Sequence, residues 1–324
     1  MSGATAGRAL ITGVAGQDGS YLAELLCAEG LDVHGLVRDD AGAASPNLDA
    51  VRGAVTLHRG DLSREGTLRE LLAATAPAEI YHLAAPAFVP HSWSTLATTM
   101  RAIAALAGEL LDAVRELVPD ARVVLAGSRE MFGAHAPSPQ REDTPCAPSS
   151  PYGIAKLAAH QLAGLAREHD GLHVSSAILF NHESPRHRPE YVARKITRAA
   201  AAISLGRQER VALGDLDAVR DWSAAVDVVR GLRLMAAPER SGDYVLASGV
   251  GRTVRELAAT AFACVGLDAV AHIDADESLM RPREGTAPVG DSTLARKRLG
   301  WVPQVGFEQL IAEMVAADAA AIGG

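Results

Sequence analysis

Two apolar patterns alternate along this chain. Arg8–Gly13 (RALITG) is a short apolar run closed by glycine and reads as a buried strand. The stretch from Gln17 to Gly30 (QDGSYLAELLCAEG) carries apolar residues at helical spacing and also ends on glycine. Leu31–Val37, Glu79–Ala84 and Ala121–Gly127 repeat the strand pattern, and helical stretches lie around Gly66–Thr75 and Thr95–Leu117. A helix over about Pro151–His169 and a strand over His173–Phe180 continue the series. Strand and helix in turn predict an α/β fold, with a parallel sheet covered by helices on both faces.

Beyond Phe180 the pattern loosens. Arg- and Pro-rich loops (NHESPRHRPEY and ESLMRPREGTAPVGD) separate helices predicted near Tyr191–Gly206, Ala224–Met235, Val254–Val265 and Phe307–Ala317. The alanine-rich tail EMVAADAAAIGG reads as a final helix that frays. The expected division is a sheet-forming half over residues 1–180 and a smaller α/β substrate-binding portion over residues 181–324. The boundary between them is approximate and interleaved.

A chain of 324 residues suits one large domain or two small ones. Its 48% hydrophobic and 22% charged composition is that of a globular protein. The formal net charge of −8 argues against a nucleic-acid partner, although a local cluster of arginines can still hold a phosphate. Cys27, Cys146 and Cys264 are far apart and odd in number, so a disulfide framework or zinc site is not expected and a cytoplasmic location is. No apolar run reaches about 18 residues, which argues against a transmembrane helix. The segment before the first strand is too short for a signal peptide. The histidines form no H-E-x-x-H, so no metal site is expected.

ITGVAGQDGSY places Gly13, Gly16 and Gly19 between the first strand and the first helix. Glycine lets such a turn close and lets the backbone approach a ligand, and the helix N-terminus adds unpaired N–H groups for a pyrophosphate. A Rossmann-type doubly wound sheet follows. The spacing G-x-x-G-x-x-G resembles the extended branch of the short-chain dehydrogenase/reductase superfamily. After the second strand, Arg38 suits a 2′-phosphate and hence NADP, whereas Asp39 suits a ribose hydroxyl and hence NAD. GDLS resembles the segment that brings Asp61, with Leu62, beside the adenine. HLAAPAF resembles the loop whose Leu83, Ala84 and Ala85 back the cofactor.

SPYGIAK sets Tyr152 and Lys156 four residues apart, on one helix face. A lysine ammonium near a phenol lowers the phenol's pKa, as does a positively charged nicotinamide, and the tyrosine can then take a hydroxyl proton near neutral pH. AGSREMFG supplies Ser128, which can donate to the same substrate oxygen, and Glu130. A plain dehydrogenase or epimerase has no task for that carboxylate. A sugar dehydratase does: oxidation at C4 acidifies the C5 proton, and a carboxylate can remove it while the C6 hydroxyl leaves.

Together these stretches resemble the GDP-mannose 4,6-dehydratase family. ALITGVAGQDGSYLAELL, VHGLVR, SREMFG, SPYGIAKL, ILFNHESPR, RKITRA, RDW and RPRE follow in that family's order over nearly the whole chain. The resemblance implies catalytic roles for Ser128, Glu130, Tyr152 and Lys156. It implies cofactor contacts at Gln17 and Asp18 beside the three glycines. It places Asn181 by the substrate phosphates, Lys195 by the guanine, Arg220 and Arg281 on the diphosphate and Glu284 by the nucleotide ribose, and it matches Ser92 to a substrate-facing serine. A diphosphate needs cationic forks, which arginine provides. The implied cofactor is regenerated in each turnover.

The chain departs from the family at several points. Arg129 stands where a small hydroxyl residue is usual; it can pair with Glu130, lowering its pKa and weakening it as a base, or point away from the site. Pro86, Phe88 and His91 alter the segment before Ser92. Asp39 replaces the second of two arginines, leaving NAD open beside NADP. The arm after the second strand is short, which predicts a homodimer rather than a tetramer. An NDP-sugar epimerase or 4-ketoreductase, and a catalytically silent nucleotide-sugar-binding protein, are the alternatives. Glu130 discriminates, since neither needs elimination.

Overall fold

The computed structural model of the chain describes residues 7–237, 239, 241–280 and 285–323. The strands of the first half are β1 (Arg8–Thr12), β2 (Asp32–Val37), β3 (Val55–Arg59), β4 (Glu79–His82), β5 (Arg122–Ala126) and β6 (Val174–Leu179). They are followed by β7 (Asn181–Glu183), β8 (Val211–Leu213), β9 (Val219–Ala224), β10 (Asp243–Leu246), β11 (Gly251–Thr253) and β12 (Ile273–Ala275). The sheet-covering helices are α1 (Gln17–Ala28), α2 (Asp40–Ala43), α3 (Thr67–Thr75), α4 (Leu96–Met100), α5 (Leu106–Leu117) and α6 (Pro151–Asp170). Later come α7 (Val192–Ser204), α8 (Ala225–Met235), α9 (Val254–Ala263), α10 (Ala269–His272), α11 (Thr293–Leu299) and α12 (Phe307–Gly323).

One parallel sheet has the order β10-β6-β5-β4-β1-β2-β3. Its central strands are covered on both faces, so they read as apolar runs without alternation. Leu10 and Ile11, adjacent on β1, are both fully buried. On one face Ile11 joins Val14, Leu22 and Leu26 with residues of α8. On the other, Leu10 packs with Leu68, Leu72, Leu110 and Val114 of α3 and α5. The order reverses beside β1, whose neighbours β2 and β4 are reached by connections running in opposite directions. A crevice opens there, past the carboxyl ends of the strands.

A second core lies where α7, α9 and α12 pack around Trp222 and Phe262. Two small sheets, β11-β9-β7 and β12-β8, accompany it. The chain does not stay in this part once it has entered it. β10 returns to pair with β6 in the large sheet, and α8 packs on α1.

Several elements differ from the sequence expectation. β3 was not anticipated, because as an edge strand it buries only Val55 and its apolar signal is thin. The helix expected over Thr95–Leu117 is interrupted by a π-helical turn at Arg101–Ala105. α12 stays helical to Gly323, beyond the expected Ala317, because Leu310, Ile311, Met314 and Val315 hold it against the second core.

Candidate active site

A cleft of about 2480 Å³ runs along the carboxyl edge of the large sheet and under the small sheets. Sites for a single small ligand occupy about 300–1,000 Å³, so this cleft has room for two ligands. Gly13, Ser128, Tyr152, Asn181, Lys195 and Arg220 all line it.

At one end lies the glycine turn. Gly13 has φ +77°, and a Cβ there would come 2.9 Å from the Ala84 nitrogen. A Cβ on Gly19 would sit 2.2 Å from the Gly13 oxygen. Gly16 caps α1, and a Cβ on it would meet only the Gly13 oxygen, so its outer side faces the open cleft. Glycine is thus required for the turn to close, and α1 presents its first N–H groups to the cleft. These features suit the pyrophosphate of a dinucleotide. Leu83, Ala84 and Ala85 form the facing wall, while Arg38, Asp39, Asp61 and Leu62 line the far end. Asp61 accepts from the Ser63 backbone N–H at 2.8 Å, and that bond holds its carboxyl below the usual range. Asp39 accepts from the Gly42 N–H at 2.9 Å and caps α2.

Gln17 and Asp18 line the cleft and also tie α1 to the segment after β6. Gln17 donates to the His182 carbonyl at 3.2 Å and accepts from the Ser184 hydroxyl at 2.7 Å. His182 Nε2 lies 2.9 Å from Asp18 Oδ2, and its Nδ1 lies 2.8 Å from the Phe180 carbonyl. Both partners are acceptors, so both ring nitrogens carry protons. Burial opposes the charge on His182, but Asp18 overrides it and raises the imidazole to about 9. Burial likewise opposes ionisation of Asp18, yet His182 holds its carboxyl below the usual range.

The chemical end is built from β5 and α6. Ser150 accepts from the Gly153 N–H at 3.0 Å and Pro151 occupies the first turn, so α6 starts one residue before Tyr152. Ser128 caps a tight turn at Arg129–Met131, its hydroxyl accepting from the Glu130 N–H at 3.2 Å. Glu130 lines the same cleft as Tyr152. Lys156 Nζ donates to the Ala126 carbonyl at 2.6 Å and stands 5.7 Å from the centre of the Tyr152 ring. Burial lowers the Lys156 ammonium to about 8.

The expectation is a phenol lowered by Lys156 together with a cationic nicotinamide. In the protein alone, burial pushes Tyr152 above the usual phenol range. Ser128 works in the opposite direction, favouring the phenolate, whereas Glu130, Tyr191 and Asp18 reinforce the rise.

At the other end, Asn181 pairs in register with Trp222 across β7 and β9, which brings it near Arg220. Lys195 donates from Nζ to the Ala212 carbonyl at 2.6 Å, and Arg220 donates to the Val219 carbonyl at 2.6 Å. Ser92 is not brought into the site. It is buried within a tight turn, and its hydroxyl donates to the Val89 carbonyl at 2.7 Å. Arg281 and Glu284 lie outside the described residues.

Two features went unassigned in the sequence reading. His182 stands next to Asn181, inside a stretch from which only the asparagine drew a role, and its own role needs the contact with Asp18. Tyr191 stacks on His187 at 4.0 Å and meets Phe88 edge-on at 5.7 Å, walling the cleft. A tyrosine at a helix start carries no sequence signal for that position.

Comparison with known proteins agrees with this fold. The family model described as GDP-mannose 4,6 dehydratase matches residues 10–314. GDP-mannose 4,6 dehydratase 1 of Arabidopsis thaliana is 41% identical over 322 residues, covering 96% of this chain and 89% of that protein. The GDP-mannose 4,6-dehydratase of Sinorhizobium fredii (strain HH103) is 40% identical over 342 residues, covering 98% and 97%. Among solved structures, RMD from Pseudomonas aeruginosa complexed with NADPH superposes with a TM-score of 0.81 at 25% identity, covering 97% of this chain and 99% of that one. The chain belongs to the GDP-mannose 4,6-dehydratase family of NAD(P)-dependent lyases.

Proposed function

We propose that this chain removes water from GDP-mannose to give GDP-4-keto-6-deoxymannose, with NADP as its cofactor. The observation that carries the reading is a carboxylate, Glu130, lining the same cleft as Ser128, Tyr152 and Lys156. An epimerase, a 4-ketoreductase or a silent binding protein leaves that carboxylate without a task.

In this reading Tyr152 takes the proton of the C4 hydroxyl, with Ser128 donating to the same oxygen. Lys156, held by the Ala126 carbonyl, keeps a positive charge beside the ring. The cofactor, when bound, would supply hydride acceptance at C4 and hydride return to C6, and its cationic ring would add to the positive charge of Lys156 beside the buried phenol. Glu130 removes the C5 proton once C4 is a ketone, and the C6 hydroxyl departs as water. Asn181, Lys195 and Arg220 hold the nucleotide diphosphate end. Arg281 and Glu284 keep the diphosphate and ribose roles that the family resemblance gives them.

NADP is supported by Arg38, which lines the cleft and suits a 2′-phosphate; the Asp39 carboxylate lines it too and works against that preference. A homodimer is supported by apolar side chains left at the surface. Ile154 and Leu165 fall on one stripe of α6, and Trp93 and Leu96 are exposed as well. A cytoplasmic location fits the three unpaired cysteines. Among the described residues, no helix is long and apolar enough to cross a membrane.

The test is mass spectrometry of the nucleotide sugar after incubation of the protein with GDP-mannose and NADP⁺. The expected product has lost one water. A sugar of unchanged mass would sink the proposal.

A further inference from the structure

Arg129 lies between the hydroxyl and the carboxylate of the proposed catalytic set. Its side chain is 8% exposed, and Nη2 donates to Glu130 Oε1 at 2.6 Å. The Glu130 side chain is more open, at 22%, and both residues line the cleft. They share the tight turn that leaves β5, whose cap is Ser128. A buried guanidinium needs partners, and one of them here is a carboxylate that lines the same cleft.

The contact engages one carboxylate oxygen and leaves Oε2 for the sugar. Elimination demands a fixed oxygen. One carboxylate oxygen must meet the C5 hydrogen, take it as a proton while the C5–H electrons form the C5–C6 double bond, and pass that proton to the departing C6 hydroxyl. The C6–O bond breaks and water leaves, so atoms and electrons balance with no further reagent. A carboxylate free to rotate meets C5 in only part of its conformations, and misplacement by about 1 Å can cost about a hundredfold.

We propose that Arg129 is a positioning residue for the elimination step, holding Glu130 by Oε1 so that Oε2 alone faces C5 and C6. The proposal rests on the reading of Glu130 as the base. It assigns Arg129 no part in C4 oxidation, which belongs to Tyr152 and Ser128. Arg129→Gln therefore separates the two halves of the reaction.

The experiment follows R129Q, R129K and E130Q with GDP-mannose, reading product by mass spectrometry and reduced nicotinamide by its absorbance. In R129Q, water loss should fall by about tenfold to a hundredfold, KM should stay within about twofold, and reduced nicotinamide should accumulate during turnover because oxidation outpaces elimination. R129K, which restores the charge, should recover most of the rate and abolish the accumulation. Parental turnover in R129Q overturns the proposal. So does equal loss of oxidation and elimination, and so does failure of R129K to recover. The reading of Glu130 is judged separately: E130Q should oxidise C4 and stop. If E130Q still releases water, the base is elsewhere and the Arg129 proposal falls with it. If E130Q stops and R129Q is unaffected, only the Arg129 proposal falls.

Discussion

Single residues set the tolerances of this site. Gly19 leaves no room for a side chain, since an added Cβ would lie 2.2 Å from the Gly13 oxygen. Gly19→Ala should cost about 1–3 kcal/mol by overpacking a backbone that cannot give way. It should also weaken dinucleotide binding, as thermal denaturation with and without NADP⁺ will show. Tyr152→Phe removes the group that takes the C4 proton, and single-turnover oxidation should fall by about 10²–10⁴-fold with the fold intact by circular dichroism. Asp39 offers a finer test. Removing its negative charge in Asp39→Ala should improve NADP⁺ binding relative to NAD⁺ by about tenfold, or about 1.4 kcal/mol, measured as the ratio of the two dissociation constants. An unchanged ratio would mean that the carboxylate, engaged with Gly42, takes no part in the choice.

At the scale of elements, the link between α1 and the segment after β6 has a pH signature. His182 is raised to about 9 from an ordinary value near 6.5, and Asp18 is held below the ordinary carboxylate range. A raised histidine contributes stability that is fully present below its unfolded pKa and lost as pH rises through its folded one. A depressed aspartate contributes above its unfolded pKa and loses it as pH falls. The pair therefore supports the fold between the acid range and about pH 9. The melting temperature should drop between pH 7 and about 9.5, and His182→Gln should flatten that drop. An equal drop in the variant would place the alkaline loss elsewhere.

The same elements show what the sequence could reveal. β1, α1 and α6 were legible because each carries a local signal: an apolar run ending in glycine, a helix-spaced stripe, and Ser150-Pro151 at a helix start. β3 and β10 were not, because an edge strand and a returning strand take their identity from partners distant in the chain. The site divides in the same way. Tyr152 and Lys156 are readable from spacing within one helix. The His182–Asp18 pair, separated by 164 residues, is visible only in three dimensions. Ser92 was legible as a motif match, yet its hydroxyl closes its own turn.

The molecule as a whole is one cleft between two cores, with apolar side chains left uncovered beside α6. Ile154 and Leu165 are 49% and 59% exposed on the same helix stripe. If that stripe joins two copies, Ile154→Glu with Leu165→Glu should give a monomer by light scattering, whereas the parent chain should run as a dimer. An unchanged mass would move the interface elsewhere.

The central claim is that one cleft oxidises C4, eliminates water across C5 and C6, and reduces C6 with the hydride taken from C4. The measurement that tests it most directly uses GDP-mannose deuterated at C4 and locates the label in the product by NMR. The account predicts a dehydrated sugar with deuterium at C6 and no net consumption of NADP⁺. Deuterium still at C4, or lost to the cofactor pool with NADP⁺ consumed, would contradict it.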